Sequence, residues 1–364
     1  MVHTFPKPIK LTADDETSST QSEASDTVPN TFEGPEKNLE IDFKLNVGHP
    51  RGFREVPRQD LDEMLEAGQC QILSRTSNEH IDAYVLSESS MFVYAHKVVL
   101  KTCGTTTLLL CLPYIKRFSK RLGLEIEWVN YSRKNYTFPE EQKYPHTSFQ
   151  TEVAFLSSYF PEGSAHVLGP LNHDHWYIYA WDADIHDQSG AALMTNDIPF
   201  KEPGQNESTL HVLMQDMHPN LVPGAVIDDF AFDPCGYSMN GILFDAYYTI
   251  HITPESHCSY VSFETNARLR SYQSLLKNVL RCFRPAKYSV SVYTERNALE
   301  ASKTNMFAED LVKIDDDLLY KRKGGHTQAT FEGDYMCRMA NFSVSDMPPV
   351  VSRAAQKYRS PSFA

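Results

Sequence analysis

Short runs of apolar residues alternate with helix-like stretches along the chain, and the same order occurs twice. The strand-like runs lie at residues 84–86, 91–94, 97–102 and 124–131 in the first half and at 247–253, 258–264 and 287–293 in the second. In each half, apolar residues spaced by three and four positions interrupt the strands, which predicts an amphipathic helix. The repeated order suggests an internal duplication.

The two predicted helices have well-defined apolar faces. These faces comprise Leu108, Leu112, Ile115, Phe118 and Leu122 in the first half and Leu276, Val279, Leu280 and Phe283 in the second. Gly123 predicts the end of the first helix, and Pro113 predicts a kink within it, because proline lacks a backbone donor. Consecutive hairpin-like strands with interposed helices favour antiparallel sheets that are covered by helices on one face.

The two ends of the chain have compositions that do not favour a packed core. Residues 11–30 are rich in Ser, Thr, Asp and Glu, so they cannot bury enough apolar surface to offset the entropy of ordering. Residues 352–364 look similarly loose, although they are basic. We therefore expect a disordered tail over residues 1–30, one folded domain over 31–345 and a loose tail over 346–364.

Composition narrows the class of protein. The chain has 364 residues, 41% of them hydrophobic, which is ample for a large core. A formal charge of −13 argues against binding to nucleic acid or to an anionic membrane surface, because either needs clustered Lys and Arg. There is no apolar run long enough to span a membrane and no signal-peptide core, so we expect a cytoplasmic protein. The seven cysteines include no CxxC pair, which predicts reduced thiols.

A polar segment, Leu-Ser-Glu-Ser-Ser at residues 86–90, joins two strand-like runs. Cys103 follows one strand later, within Leu-Lys-Thr-Cys-Gly-Thr-Thr. Taken alone, the first segment is a typical turn between strands. It gains a chemical meaning only together with further motifs along the chain.

Five segments match one family in order and at nearly its spacing. They are FEGPEK (32–37), LSESSMF (86–92), LKTCGTT (100–106), DPCGYSMNG (233–241) and TIHITPE (249–255). By these motifs the chain resembles the eukaryotic S-adenosylmethionine decarboxylases from about Phe32 to about Phe283. The resemblance implies an α+β fold, a four-layer α/β/β/α sandwich of two antiparallel sheets flanked by helices.

The resemblance also implies a cofactor that the chain makes itself. Decarboxylating an amino acid requires an electron sink, which side chains do not offer, and the sequence shows no nucleotide-binding glycine loop and no lysine that marks a pyridoxal phosphate site. In the family, the serine hydroxyl attacks the preceding carbonyl, an ester forms, and β-elimination cuts the chain. Here the cut would fall between Glu88 and Ser89, giving a β chain (1–88) and an α chain (89–364) capped by a pyruvoyl group from Ser89. That group would hold the substrate amine as a Schiff base.

Three further residues take catalytic roles by resemblance. His251 would remove the Cα proton during elimination, Ser238 would hydrogen bond to the oxyoxazolidine intermediate, and Cys103 would return a proton to the product carbon. We also expect Cys103 to lie at the start of the first long helix, because a helix N-terminus can stabilise a thiolate and tune proton transfer. Without the resemblance, these residues would be interpreted as a core histidine, a turn serine and a buried small thiol.

The implied substrate is S-adenosylmethionine, whose decarboxylated product donates aminopropyl groups for spermidine and spermine synthesis. Glu33 and Glu36 look like solvated turn acids, but by resemblance they belong to the active site, where carboxylates suit a sulfonium cation. The implied substrate-binding residues are Phe32, Leu86, Glu88, Phe232 and Glu255. The two phenylalanines would sandwich adenine and Glu255 would hold the ribose hydroxyls.

Animal members of the family bind putrescine at a buried acidic site that stimulates processing and turnover. The matching positions here are Glu40, Lys101, Glu207, Thr209 and Glu264. His211 replaces one expected acid, and the segment 217–223 is shorter than its animal counterpart. A histidine that becomes charged would repel a dication, so we do not expect putrescine to activate this protein.

Three alternatives stay open at this point. His173, Asp174 and His175 could belong to a metal site, although no further ligand is evident and a solvated strand face fits them better. Cys103 with His251 could form a hydrolase dyad, which leaves the segment 86–90 unexplained. The chain could also be a non-catalytic paralogue that regulates an active partner. The retained motif residues favour the enzyme, whose partners would be its own β and α chains and, if it forms a homodimer, a second copy.

Overall fold

The computed structural model describes most of the chain between Phe32 and Ser345. The described residues are 32–172, 174–183, 208–214, 224–233, 235–254, 259–269, 272–295, 307, 309–315, 318–331 and 335–345. The predicted tails over 1–30 and 346–364 lie outside them. Of the strand β9, at 208–214, only the backbone is described.

The first sheet has eight antiparallel strands. They are β1 (Lys37–Phe43), β2 (Ile72–Ser77), β3 (Ile81–Leu86), β4 (Ser89–Tyr94), β5 (Lys97–Thr102), β6 (Ile126–Lys134), β7 (Ser164–Leu168) and β8 (Trp176–Asp182). Their order in the sheet is β2-β3-β4-β5-β1-β6-β8-β7. Strand β1 therefore lies between β5 and β6, and the FEGPEK motif that leads into β1 reaches the middle of the sheet.

The second sheet has nine strands among the described residues. They are β9 (Ser208–Met214), β10 (Val226–Ala231), β11 (Tyr237–Leu243), β12 (Ala246–Thr253), β13 (Tyr260–Thr265), β14 (Lys287–Glu295), β15 (Leu311–Asp315), β16 (Leu318–Thr330) and β17 (Tyr335–Val344). Their order is β10-β11-β12-β13-β9-β14-β17-β16-β15. Except for the added β15, this order repeats that of the first sheet strand for strand, which confirms the predicted duplication.

Four α-helices cover the sheets in the described part of the chain. They are α1 (Arg58–Ala67), α2 (Leu112–Leu122), α3 (Phe149–Tyr159) and α4 (Gln273–Phe283), with short 3-10 helices at Gly52–Glu55, Leu108–Cys111 and Pro139–Glu141. The predicted end of α2 is confirmed, since Gly123 adopts a left-handed conformation with φ 68°. The predicted kink is wrong. Pro113 lies in the first turn of α2, where a missing N–H removes no helical hydrogen bond.

The alternation of side chains along β4 shows how the layers are stacked. Met91 and Val93 belong to the core between the first sheet and its helices. Phe92 and Tyr94 point the other way and pack against the second sheet, where the Phe92 and Tyr247 rings stack with their centroids 4.0 Å apart. A strand buried on both faces needs a partner layer on each side.

Helix α4 covers the outer face of the second sheet. Its buried face is the predicted one, Leu276, Val279, Leu280 and Phe283, which packs in one core with residues such as Ile250 and Phe263. Together with the helices on the first sheet, this confirms the four-layer α/β/β/α sandwich. No helix in the described residues is long and apolar enough to cross a membrane.

The space between the two sheets is partly polar. Ser90 and Lys101 from the first sheet lie buried opposite Asn240, His251 and Glu264 from the second. Buried polar groups require hydrogen-bond partners or they destabilise the fold. Here they find partners across the interface between the sheets, and this polar layer leads to the candidate site.

Candidate active site

The turn between β3 and β4 consists of two residues, Ser87 and Glu88, and pairs Leu86 with Ser89. The backbone of Ser89 has φ 134°, in a region that glycine favours. A non-glycine residue held there costs on the order of 1–3 kcal/mol and persists only where the surroundings impose it. The predicted scissile bond, Glu88–Ser89, therefore ends at a strained residue that is 2% exposed.

The carbonyl oxygen of Glu88 receives two hydrogen bonds from one residue. The backbone N–H of Cys103 donates to it at 2.9 Å and the Cys103 thiol at 3.2 Å. Two donors on a carbonyl are the arrangement that stabilises an oxyanion when that carbonyl is attacked. Sequence reasoning assigned this stabilisation to Ser238 and missed the Cys103 backbone. The pairing of strands β4 and β5 could have indicated this donor. Ser89 pairs with Thr102, so Cys103, which follows Thr102, lies opposite Glu88, which precedes Ser89.

His251 on β12 lies beside Ser89. The Ser89 hydroxyl oxygen is 3.4 Å from each ring nitrogen of His251. Nδ1 of the ring is 2.5 Å from Oε1 of Glu36, and Nε2 is 2.8 Å from the hydroxyl oxygen of Ser90. The fold thus brings together Glu36, Ser89 and His251 from three distant motifs, as the sequence predicted.

The strands on either side of β12 place a serine next to His251. Ser238 on β11 and Ser262 on β13 both pair with His251 in register. The Ser262 hydroxyl donates to Oε1 of Glu36 at 2.7 Å. Ser238 is buried beside the site, and its predicted contact with the reaction intermediate stays a prediction.

Glu36 is a buried carboxylate, which contradicts its appearance as a solvated turn acid. Only 6% of its side chain is exposed. Burial alone would raise its pKa, but the positive charge of Lys101 and hydrogen bonds from His251 and Ser262 lower that pKa to about 2. Glu36 is therefore ionised at any physiological pH.

Cys103 carries a protonated thiol. Burial raises its pKa well above the ordinary value, and the carboxylates of Glu88 and Glu36 raise it further, while Lys37 opposes them. The predicted helix N-terminus does not act here, because Cys103 lies in a loop and α2 begins only at Leu112. The predicted placement of Cys103 at a helix N-terminus is therefore wrong, and its role as the acid that protonates the product stays a prediction.

Glu88 itself is a second group whose protonation state the site shifts. Burial raises the pKa of its carboxyl to about 7, against the lowering effects of Lys37 and of a hydrogen bond from Cys103. One of its carboxyl oxygens is 3.9 Å from the Cys103 sulfur. Near neutral pH, Glu88 therefore exchanges readily between its neutral and charged forms.

Lys37 holds the Cys103 loop in place from β1. Its ammonium group is fully buried and donates to the carbonyl of Gly104 at 2.8 Å and to Oε1 of Gln142 at 3.3 Å. Burial lowers the pKa of Lys37 to about 8, while Cys103, Glu152 and other acidic groups act in the opposite direction. Sequence reasoning missed this residue, although it is the last letter of the FEGPEK motif.

Glu33 is also buried, at 1% exposure, rather than solvated. Its carboxylate accepts the backbone N–H groups of Thr137 and Phe138 at 2.8–3.0 Å, and its carbonyl accepts the N–H of Gly104 at 2.8 Å. Glu33 thus joins three segments of the chain next to the Cys103 loop.

The predicted substrate-binding residues are less closely grouped in what the structure describes. Phe32 packs over Gly104 beside the Cys103 loop, and Phe232 packs edge-on against Phe230 at the end of β10. Leu86 is fully buried in the core beneath the helices, and Glu255 lies outside the described residues. Their contacts with a substrate stay predictions.

Three of the positions that match the putrescine site, Glu40, Lys101 and Glu264, are already paired in the described residues. Lys101 forms an ion pair with Glu264, which also accepts the Tyr247 hydroxyl at 2.6 Å. Lys97 donates to Glu40 at 2.6 Å. Glu207 lies outside the described residues, while Thr209 and His211 lie on β9, where the backbone of His211 pairs with Glu264.

The metal alternative gains no support from the described residues. No group of three or more His, Cys, Asp or Glu there could hold a metal ion. Asp174 instead pairs with Lys134 at 2.8 Å and with Lys287 at 3.4 Å, and His173 lies outside the described part.

Comparison with known proteins gives independent evidence on the family of this chain. A family model described as adenosylmethionine decarboxylase matches residues 29–223 and 219–343. Relatives named S-adenosylmethionine decarboxylase proenzyme occur in Dictyostelium discoideum and Drosophila melanogaster, and each is 40% identical to this chain. The alignment with the Dictyostelium protein covers 87% of this chain and 89% of that protein. The alignment with the Drosophila protein covers 74% of this chain and 84% of that protein.

A solved structure shows the same fold. The crystal structure of a Trypanosoma brucei AdoMetDC-delta26 monomer superposes with a TM-score of 0.50 at 27% sequence identity. The match covers 70% of this chain and 99% of the trypanosome chain. By the family model, its relatives and its fold, this chain belongs to the adenosylmethionine decarboxylase family.

Proposed function

We propose that the protein is an S-adenosylmethionine decarboxylase that cuts its own chain between Glu88 and Ser89 and converts Ser89 into a pyruvoyl group. One observation carries the proposal. The Glu88 carbonyl receives two hydrogen bonds from Cys103, and it precedes a serine that is strained, buried and next to a histidine. The name proenzyme, which the curated relatives bear, agrees with a precursor that is processed.

The arrangement supports each step of self-cleavage. The Ser89 hydroxyl attacks the Glu88 carbonyl, and the negative charge that develops on its oxygen is stabilised by the N–H and thiol of Cys103. The nitrogen takes up the hydroxyl proton and leaves as an amine, and the strained amide becomes an ester. Removal of the Ser89 Cα proton by His251 then breaks the bond between Cβ and the ester oxygen, which separates the two chains and leaves a new C-terminal carboxylate at Glu88. The dehydroalanine left at position 89 takes up water and loses ammonia, which gives the pyruvoyl group.

The residues present also fit the finished site. A pyruvoyl group supplies a carbonyl that accepts the electrons left when carbon dioxide departs. The protonated thiol of Cys103 would then give its proton to the product carbon. The ionised carboxylate of Glu36 would favour a sulfonium substrate through its negative charge, and the rings of Phe32 and Phe232 would bind adenine. The product would be the aminopropyl donor for spermidine and spermine synthesis.

A denaturing gel with carbonyl labelling tests the proposal. The purified 41.5 kDa chain should give fragments of about 10 and about 31 kDa in proportion to their lengths. Phenylhydrazine should label only the larger fragment and should stop decarboxylation of S-adenosylmethionine. The Ser89→Ala chain is the control and should stay intact and unlabelled. An intact, unlabelled wild-type chain would refute the proposal.

The hydrolase alternative fits the site less well. A thiol nucleophile needs a lowered pKa, whereas burial and two carboxylates raise that of Cys103. The cytoplasmic location and a homodimer stay predictions from the sequence.

A further inference from the structure

Asn240 is a buried amide on β11 whose orientation is fixed by a backbone carbonyl of the other sheet. Its Nδ2 donates to the carbonyl oxygen of Tyr84 at 3.0 Å. A carbonyl oxygen cannot donate, so the amide cannot be reversed without placing two acceptors together. The amide oxygen of Asn240 therefore faces Ser90, and the Ser90 hydroxyl donates to it at 2.7 Å.

This bond decides how Ser90 meets His251. A serine hydroxyl has a single proton, and Asn240 holds the proton of Ser90. At the 2.8 Å contact between Ser90 and Nε2 of His251, the serine oxygen must accept, so Nε2 donates. Thr249 lies 3.1 Å from the same nitrogen, and its hydroxyl donates to the carbonyl of Met239.

The other ring nitrogen also faces an acceptor. Nδ1 of His251 is 2.5 Å from Oε1 of Glu36, which also receives the Ser262 hydroxyl. Glu36 is ionised, because Lys101 and its hydrogen bonds hold its pKa at about 2, and an ionised carboxylate only accepts. Both ring nitrogens of His251 therefore face oxygen atoms that act as hydrogen-bond acceptors in the uncut chain.

We propose that Asn240 is a positioning residue for self-cleavage, which holds the Ser90 proton so that Ser90 accepts from His251 and never donates to it. This inference rests on the proposed function. While Nε2 is protonated, the ring is a cation paired with Glu36. When the ester forms, the freed amine of Ser89 takes the proton of Nε2. The lone pair of Nε2 then faces no hydroxyl donor, and His251 is left as an effective base next to Ser89.

The step that needs this base is the elimination from the ester. Neutral His251 takes the Cα proton of Ser89, and the electrons of the C–H bond form a Cα–Cβ double bond. The bond between Cβ and the ester oxygen breaks, and its electrons leave with the main-chain carboxylate of Glu88, which is the new C-terminus of the β chain. The ring ends doubly protonated, and the protonated amine leaves as ammonium when water converts the dehydroalanine into the pyruvoyl group.

The Asn240→Leu variant of the full chain tests the role. Leucine has a similar size but cannot accept, so the Ser90 proton becomes free to bind Nε2 and to occupy the lone pair. We expect cutting to slow about tenfold to a hundredfold, the scale of a lost general base. The ester should accumulate, and hydroxylamine should then cut the chain between Glu88 and Ser89.

Asn341 provides a matched control. Its amide oxygen accepts the hydroxyl of Ser289 at 2.6 Å, and its Nδ2 donates to the backbone carbonyl of Asp174 at 3.1 Å. Asn341 therefore has the same two kinds of partner as Asn240, a serine hydroxyl and a backbone carbonyl, but its serine contacts no histidine in the described hydrogen bonds. The Asn341→Leu chain should cut at the wild-type rate. Slowing by the same factor in both variants would overturn the proposal, since it would indicate a general loss of fold.

Nitrogen NMR of the uncut Ser89→Ala chain tests the protonation state and leaves Asn240 unchanged. His251 should show two protonated ring nitrogens at neutral pH, and adding Asn240→Leu should move Nε2 to the shift of an unprotonated acceptor. A bare Nε2 in the Ser89→Ala chain, or wild-type cutting in Asn240→Leu, would overturn the inference. A wild-type chain that never cuts would instead overturn the proposed function.

Discussion

At the scale of single residues, Cys103 contributes to the site in two ways. Its backbone N–H and its thiol both donate to the Glu88 carbonyl, and a substitution by alanine leaves the backbone donor in place. Cys103→Ala should therefore slow chain cutting only about tenfold, less than the loss of a strong oxyanion donor. Turnover by the cut enzyme should fall further, because no thiol is left to protonate the product. The rate of fragment formation and the rate of carbon dioxide release measure the two effects.

Cys111 is the matched control for that substitution. Its thiol is buried and donates to the carbonyl of Met64 at 3.2 Å, the same distance as in the Cys103 contact. Cys111→Ala loses a similar volume and a similar bond but lies outside the site. It should cut and turn over normally, and equal losses in the two variants would show that Cys103 acts only through packing.

Glu36 should make the uncut chain sensitive to acid. Its pKa is about 2 in the folded chain against 4.5 for a free side chain. A lowered pKa stabilises the fold above pH 4.5, and this contribution is lost as the pH falls from 4.5 to 2. The difference corresponds to about 3 kcal/mol. Urea midpoints of Ser89→Ala chains with Glu36 and with Glu36→Gln should therefore differ at pH 6 and converge at low pH. A constant difference would contradict this prediction.

At the scale of elements, one buried ion pair connects the central strands of the two sheets. Lys101 on β5 and Glu264 on β13 are each 2% exposed and form that pair. Lys101→Met leaves the Glu264 carboxylate buried without its cation, which should cost about 3–5 kcal/mol. The double variant with Glu264→Gln should recover much of that loss. Urea unfolding of the Ser89→Ala chain, of its two single variants and of the double variant measures the coupling energy between the two residues. If the losses in free energy of unfolding were additive, the pair would not join the sheets.

The sequence predicted those elements whose pattern is decided locally. Strands β3 to β6 and helices α2 and α4 follow from apolar spacing alone, as the buried face of α4 shows. Helix α1 was missed, because only Leu61, Met64 and Leu65 are buried among its ten residues, half of which are charged. Helix α3 was also missed. It buries Glu152, whose partners Arg133 and His146 lie outside the helix.

At the scale of the whole molecule, the site is assembled from motifs far apart in sequence. The motifs identified Glu36, Ser89, Cys103 and His251, but not the direction of their hydrogen bonds. Ser90 meets Asn240 only because two sheets stack face to face, and no local pattern contains that contact. The duplication could be predicted from the sequence, and the resemblance implied that its two halves stack sheet to sheet. The side-chain contacts between the halves, by contrast, required the fold.

Putrescine should not activate this protein, because internal cations already pair with Glu40 and Glu264, the two matching acids that the structure describes. Lys97 binds Glu40 at 2.6 Å and lies 3.4 Å from Asp42, while Lys101 binds Glu264. A bound dication would have to displace these buried ammonium groups. They are part of the chain, so they do not lose the translational and rotational entropy that a free ligand loses on binding. Decarboxylation measured with and without millimolar putrescine should differ by less than about twofold, on the same argument.

The Lys97→Met variant tests whether the ammonium group of Lys97 takes the place of putrescine. It removes the ammonium partner of Glu40 and Asp42, so two partly buried carboxylates lose their neutralising charge and should bind an added cation more strongly. Putrescine should then raise the thermal midpoint of Lys97→Met more than that of the wild-type chain, and cadaverine, one methylene longer, should do so less. Activation of the wild-type chain by several-fold would show that Lys97 does not take the place of the diamine.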